Sequence, residues 1–78
     1  MPADIPELVA YIARSLSDDP DSVEVTEESR GRQNIVQLKV SDEDMGRIIG
    51  RDGRVANAIR SLLRAAPGDS RWRLEIAD

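Results

Sequence analysis

The sequence has no cysteine, no histidine and no phenylalanine, and only one tryptophan, one tyrosine and one lysine. Without cysteine there is no disulfide scaffold, no thiolate metal site and no cysteine nucleophile. Without histidine the commonest general base and the commonest metal ligand are both missing. No apolar run approaches the ~20 residues needed to cross a bilayer. The opening Met-Pro-Ala-Asp lacks the basic and apolar regions of a signal peptide. These absences exclude most enzyme classes and leave a soluble, cytoplasmic binding protein as the expectation, with no metal, no cofactor and no membrane.

What is present fits one small domain over residues 1–78. A chain of this size buries only about 60–65% of the surface its unfolded form exposes, so its apolar residues must be used efficiently. Eight Ala and 19 Val, Ile or Leu are enough for one thin aliphatic core. The net charge of −4 argues at first sight against a nucleic-acid partner. Its distribution argues the other way. Residues 1–28 hold eight acids and one base, whereas residues 46–64 hold five arginines and one acid.

Hydrophobic spacing predicts the elements. Ile5, Leu8, Val9, Ile12, Ala13 and Leu16 recur at helical period, with Asp4 as cap, Glu7 three residues later, and Asp18-Asp19-Pro20-Asp21 as the stop. Alternation predicts strands over Ser22–Glu27 and Asn34–Val40, joined by the polar residues 28–33. In the second strand Val36, Leu38 and Val40 face one way and Ile35, Gln37 and Lys39 the other. Ser41 then caps a short helix with an acidic first turn, Asp42-Glu43-Asp44. A third helix is expected from about Gly53 to Ala66, with Val55, Ile59, Leu62, Leu63 and Ala66 on one stripe. Pro67-Gly68-Asp69 ends it, and Arg71–Ala77 alternates again, with Trp72, Leu74 and Ile76 inward. The order α-β-β-α-α-β implies a two-layer α+β domain, a three-stranded sheet covered by helices on one face.

Ile48-Ile49-Gly50-Arg51-Asp52-Gly53-Arg54-Val55 breaks the helical pattern. Gly50 can adopt the positive φ that closes a helix, and Gly53 lets another backbone come close. The third helix starts here, so its N–H groups and positive dipole end make an anion site, with phosphate the obvious anion. Arg47, Arg51 and Arg54 surround it, and Arg60 and Arg64 continue a cationic track. A Gly-x-x-Gly link alone fits better as a helix cap followed by a tight turn. Its place between two helices, after a hairpin and before a last strand, favours the phosphate reading.

On these residues the chain resembles a KH domain of the type II arrangement, over essentially its whole length. Ala-Tyr-Ile-Ala-Arg-Ser-Leu near the start, Val-Glu-Val in the first strand and Glu-Asp-Met-Gly-Arg-Ile-Ile-Gly-Arg-Asp-Gly-Arg-Val-Ala-Asn-Ala-Ile-Arg are similar to the KhpA family, small bacterial proteins made of a single KH domain. The resemblance implies that Gly50, Arg51, Asp52 and Gly53 clamp about four single-stranded nucleotides while their bases lie in an apolar groove. It places Ile48 and Ile49 at the boundary of groove and core, with Arg47 and Arg54 adding phosphate contacts. It further implies an RNA chaperone that pairs with a KhpB (Jag) partner and affects gene expression, cell elongation and cell-wall homeostasis. Asp52 departs from the positive charge usual at the variable loop positions, which implies weak affinity for this domain alone. The alternative is a protein-interaction module whose fold serves to dimerise, with itself or with a KhpB-like partner.

Other candidates are weaker. Asp42, Glu43 and Asp44 occupy consecutive helical positions and cannot all face one ion, so they read as helix-start acids. Asp18 to Glu28 reads as a solvated acidic surface, or as a docking face for a basic partner. Trp72 could stack on a base, but it shares a strand face with Leu74 and Ile76, which favours core anchoring. Tyr11 lies on the flank of the first apolar stripe. Ser15, Ser29 and Ser61 have no base beside them, so no catalytic constellation is visible.

Overall fold

A computed structural model describes residues 4–65 and 71–77. Helix α1 spans Ile5–Leu16, and the Asp4 carboxylate accepts the Glu7 N–H at 3.4 Å as its cap. Val9, Ala10 and Ala13 are its buried positions, whereas Tyr11 is 63% exposed on the outward face. After α1 the fixed φ of Pro20 starts a 3-10 turn over Pro20–Ser22. That turn consumes Ser22, so strand β1 begins two residues later than its alternation predicts, at Glu24, and runs to Arg30.

Strand β2, Gln33–Lys39, pairs antiparallel with β1, from Glu24↔Lys39 to Arg30↔Gln33. The connection therefore shrinks from the expected six residues to two, Gly31 and Arg32. Gly31 takes φ 62 at the first loop position, which suits the tight turns of hairpins. The polar run Glu28-Ser29-Arg30 joins the ladder because β1 is an edge strand, whose polar side chains still reach water.

Helix α2 spans Asp42–Ile49, helix α3 spans Arg54–Arg64, and strand β3, Arg71–Ala77, lies parallel to β2. A parallel neighbour requires a crossover, which the two helices supply. The sheet order is β1-β2-β3, giving the expected two-layer α+β arrangement. Helix α1 packs mainly on β1 and α3 on β3, while α2 lies against both helices. Ala66 and the Pro67-Gly68-Asp69 turn lie outside the described residues.

Val9, Ala13, Val36, Leu38, Ile48, Ile59, Leu63 and Leu74 belong to the core, with Val25, Val55, Trp72 and Ile76 packed against it. Trp72 is thus partly buried against the core, in line with an anchoring role. Two side chains depart from the expected apolar pattern. Leu62 is 53% exposed, because it projects from the flank of α3 beyond the line through Ile59 and Leu63. Ile35 faces away from the helices yet is only 2% exposed. Its register neighbours Glu28 and Arg73 stand on either side of it, and such long side chains can cover an apolar residue with their stems.

Candidate functional site

The link between α2 and α3 is a single tight turn. The Gly50 N–H closes α2 by donating to the Gly46 carbonyl at 2.8 Å, and the Gly53 N–H donates to the Gly50 carbonyl at 3.2 Å. The Arg54 N–H donates to the Arg51 carbonyl as α3 begins. Gly50 has φ 77 and ψ 172, a combination essentially confined to glycine. A Cβ there would lie 2.6 Å from Val55 Cγ2 and 2.9 Å from the Val55 nitrogen. Asp52 (φ 57, ψ 24) and Gly53 (φ 77, ψ 14) are both left-handed. A Cβ on Gly53 would meet only Asn57 Nδ2, at 3.7 Å.

The two glycines thus exchange part of their expected roles. Gly50 is the position against which another part of the chain packs closely, whereas Gly53 has room beside it and is required for its backbone angles. Asp52 is explained by the same geometry, since aspartate is among the few residues that tolerate the left-handed region.

The basic side chains divide into two groups. Arg51 and Arg54 are exposed at the loop, with no ion-pair partner among the described residues. Arg60 and Arg64 continue along the outer surface of α3, where they donate to Asn57 Oδ1 at 3.4 Å and Ser61 Oγ at 3.2 Å. Arg47 is engaged differently, in ion pairs with the Asp18 carboxylate and, at 3.7 Å, with Asp44. Its guanidinium pKa is raised, first by the hydrogen bond to Asp18 and then by the charges of Asp18 and Asp44, against an opposing contribution from burial.

The paired isoleucines divide as well. Ile48 is wholly buried in the core, and Ile49 is 38% exposed beside the loop. Along α3, Val55, Ala58 and Leu62 are spaced i, i+3 and i+7. They form an apolar edge next to the cationic one, with Leu62 its most exposed large member.

Asp44 is the functional-looking residue that its sequence context conceals. It is 1% exposed, and its carboxylate accepts the backbone N–H groups of Asp18 at 3.0 Å and Asp19 at 3.1 Å, together with the Ser41 hydroxyl at 3.2 Å. The Asp18 N–H is the largest cause holding its pKa below the ordinary 3.8, with Asp19, Ser41 and Arg47 acting in the same direction against burial. Asp44 therefore fastens the start of α2 to the end of α1. The only legible signal is its place three residues after the cap Ser41, and nothing in that spacing points to residues 18 and 19. Among the described residues no group of acids could hold a metal ion, and no helix is long and apolar enough to cross a membrane.

Comparison with known proteins places this geometry in a family. The family model described as KhpA/KhpB, KH domain, matches residues 6–76. The RNA-binding protein KhpA of Treponema pallidum is 47% identical over 74 residues, 92% of each chain. The protein of the same name from Caldanaerobacter subterraneus is 53% identical over 60 residues, 77% of this chain and 80% of the other. That from Listeria monocytogenes is 43% identical over 74 residues, 92% of this chain and 97% of the other. No solved structure matches.

Proposed function

The chain belongs to the KhpA/KhpB family of KH domains, and from that premise we propose that it holds single-stranded RNA by its sugar–phosphate backbone at the Gly50–Gly53 turn. The observation that carries this reading is the turn itself. It presents Arg51 and Arg54 and the first turn of α3 at one exposed point, between the cationic edge of α3 and the apolar residues Ile49, Val55 and Leu62. Phosphates lie against the turn and the arginines, and bases lie against the apolar side. Arg60 extends the phosphate path. Arg47, already held by Asp18 and Asp44, acts chiefly by fixing the helix that ends at the turn.

Contact with the backbone rather than with base edges makes the protein a weak and sequence-tolerant binder, suited to an RNA chaperone in the cytoplasm. Asp52 weakens the contact further, because its carboxylate stands next to Arg51. A KhpB (Jag)-like partner with its own RNA surface offsets this through effective concentration, in the regulation of cell elongation and cell-wall homeostasis. A dimerisation module is the second reading. The exposed Leu62, beside Ala58 and Val55, favours it as a contact for a second copy or for the partner.

Fluorescence anisotropy against unstructured RNA at two salt concentrations tests the first reading. Affinity falls with salt at a slope set by a few phosphate contacts. Arg51→Asp abolishes binding, with a thermal transition within a few degrees of the parent, as expected for an exposed side chain. An Arg51→Asp protein that binds like the parent removes the turn from the RNA site. A parent that binds no RNA but forms a stable dimer leaves the second reading.

A further inference from the structure

Nine of the eleven cationic side chains fall in two places. Five lie on α2, the turn and α3, and four others, Arg30, Arg32, Arg71 and Arg73, converge on one corner of the sheet. Arg30 and Arg71 stand on either side of Gln33 in a single cross-strand row. Arg73 lies two residues further along β3, opposite Ile35. Arg32 occupies the hairpin turn, where its carbonyl accepts the Arg71 N–H at 3.3 Å. Strand spacing puts Arg30 and Arg71 about 10 Å apart across Gln33, and Arg71 and Arg73 about 7 Å apart along β3.

All four arginines are exposed. Among the described residues the corner's ion pair is Arg30 with Glu28, at 3.0 Å. The nearby Glu75 carboxylate accepts the Gln37 amide at 3.4 Å, across the sheet and away from the corner. The residues of β1, β2 and β3 that alternate with the core positions form the face opposite the helices, and Arg30, Arg71 and Arg73 belong to that face. The corner is therefore a different surface from the Gly50–Gly53 turn.

We infer that this arginine corner is a second RNA contact, which takes the phosphates of a strand continuing beyond the turn. The inference rests on the reading that the turn holds RNA. Two arguments support a polyanion as its occupant. On a protein of net charge −4, four clustered guanidinium groups repel one another and are stabilised together by a chain of evenly spaced negative charges. From the turn, the cationic edge of α3 runs about 15 Å to Arg64, and that far end lies within reach of the corner. Six residues separate Arg64, at the end of α3, from Arg71, at the start of β3, and even a fully extended link of that length spans no more than about 25 Å.

The test uses the full chain, with Arg32→Gln, Arg71→Gln and Arg73→Gln combined and a second variant carrying Lys at the same positions. Binding is followed by NMR titration, across several salt concentrations, of an RNA of about four nucleotides, which fills one Gly-x-x-Gly turn, and of an unstructured RNA of about 20. The triple Gln variant binds the short RNA as the parent does. It binds the long RNA more weakly, and its slope of log K against log salt is smaller by about 2, near 0.7 for each phosphate that is no longer neutralised. The Lys variant keeps the parental slope.

Equal binding of the long RNA by parent and Gln variant overturns the inference, as does equal weakening for both RNAs or in both variants. A change of mass in light scattering with no change of slope assigns the corner to a second copy and likewise overturns it. Arg51→Asp separates the two readings. If it leaves short-RNA binding intact, the turn assignment fails while the long-RNA comparison still decides the corner. A parent that binds neither RNA overturns both.

Discussion

Replacing Gly50 and Gly53 by alanine, one at a time, makes two substitutions of identical chemistry, three residues apart, with very different expected costs. At Gly50 the backbone angles, φ 77 and ψ 172, lie in a region essentially reserved for glycine, and holding an alanine there costs about 1–3 kcal/mol. The added Cβ also falls 2.6 Å from Val55 Cγ2 and 2.9 Å from the Val55 nitrogen. The methyl could turn away, but the nitrogen is part of the first turn of α3, so relief requires a shift of that helix. Overpacking of this kind adds about 1–3 kcal/mol. The expected loss is about 4 kcal/mol, a large part of the roughly 4–12 kcal/mol available to a domain of this length. At about 4–8 °C per kcal/mol, the midpoint falls by about 15–30 °C.

At Gly53 the left-handed angles cost an alanine about 1–2 kcal/mol, and the Cβ meets only Asn57 Nδ2 at an ordinary 3.7 Å. The reduced freedom of the unfolded chain returns about 0.4–1 kcal/mol. The net loss is therefore about 1 kcal/mol. Urea and thermal unfolding followed by circular dichroism measure both variants. Val55→Ala in the Gly50→Ala background removes the methyl contact but not the nitrogen contact, so it restores part of the stability through a favourable coupling. If Gly53→Ala costs as much as Gly50→Ala, or if Gly50→Ala costs under about 1 kcal/mol, the close approach to Val55 is not what fixes glycine at this position.

The remaining predictions concern charge. Asp52→Asn keeps a residue that tolerates φ 57, so its unfolding curve matches the parent. Removal of one carboxylate beside the phosphates raises RNA affinity about twofold to threefold in anisotropy titrations at low salt, and unchanged affinity would count against contact at the turn. Asp44 is held below its ordinary 3.8 in the fold, so the unfolded chain takes up the proton first as pH falls. Its contribution is full above about pH 5 and is lost through and below 3.8. Urea midpoints measured between pH 3 and 7 show this decline in the parent and a flatter profile in Asp44→Asn. Asp42→Asn and Glu43→Gln, both exposed, change stability by no more than about 0.5 kcal/mol, and a larger loss from either would contradict the special position of Asp44.

How far each element could be read depends on which physical signal marked it. The apolar period of α1 and its cap at Asp4 are local, and the helix spans Ile5–Leu16 as that period predicts. The start of β1 was less legible, because Val23 and Val25 continue an alternation that Pro20 interrupts only once its 3-10 turn has formed. Residues 28–30 look like loop by composition. They are strand because pairing with β2 supplies hydrogen bonds that no local propensity encodes. At the candidate site, the Gly-x-x-Gly spacing and the surrounding arginines stand in consecutive sequence. The packing of Val55 against Gly50 does not.

The missing histidine, cysteine and long apolar runs, the concentration of arginine in residues 46–64, and the α-β-β-α-α-β order were determined by sequence alone, since each depends on composition or on neighbours a few positions apart. Tertiary structure decided the rest. It buried Asp44 beneath the backbone of residues 18 and 19, and it drew Arg47 towards Asp18. It also brought Arg30 and Arg32 beside Arg71 and Arg73, some 40 positions away in the chain. Burial, ion pairing and the summing of charge depend on distance in space, which the packing of α2 beside the end of α1 makes short for Asp44 and Arg47, and the parallel pairing of β2 with β3 for the arginine corner.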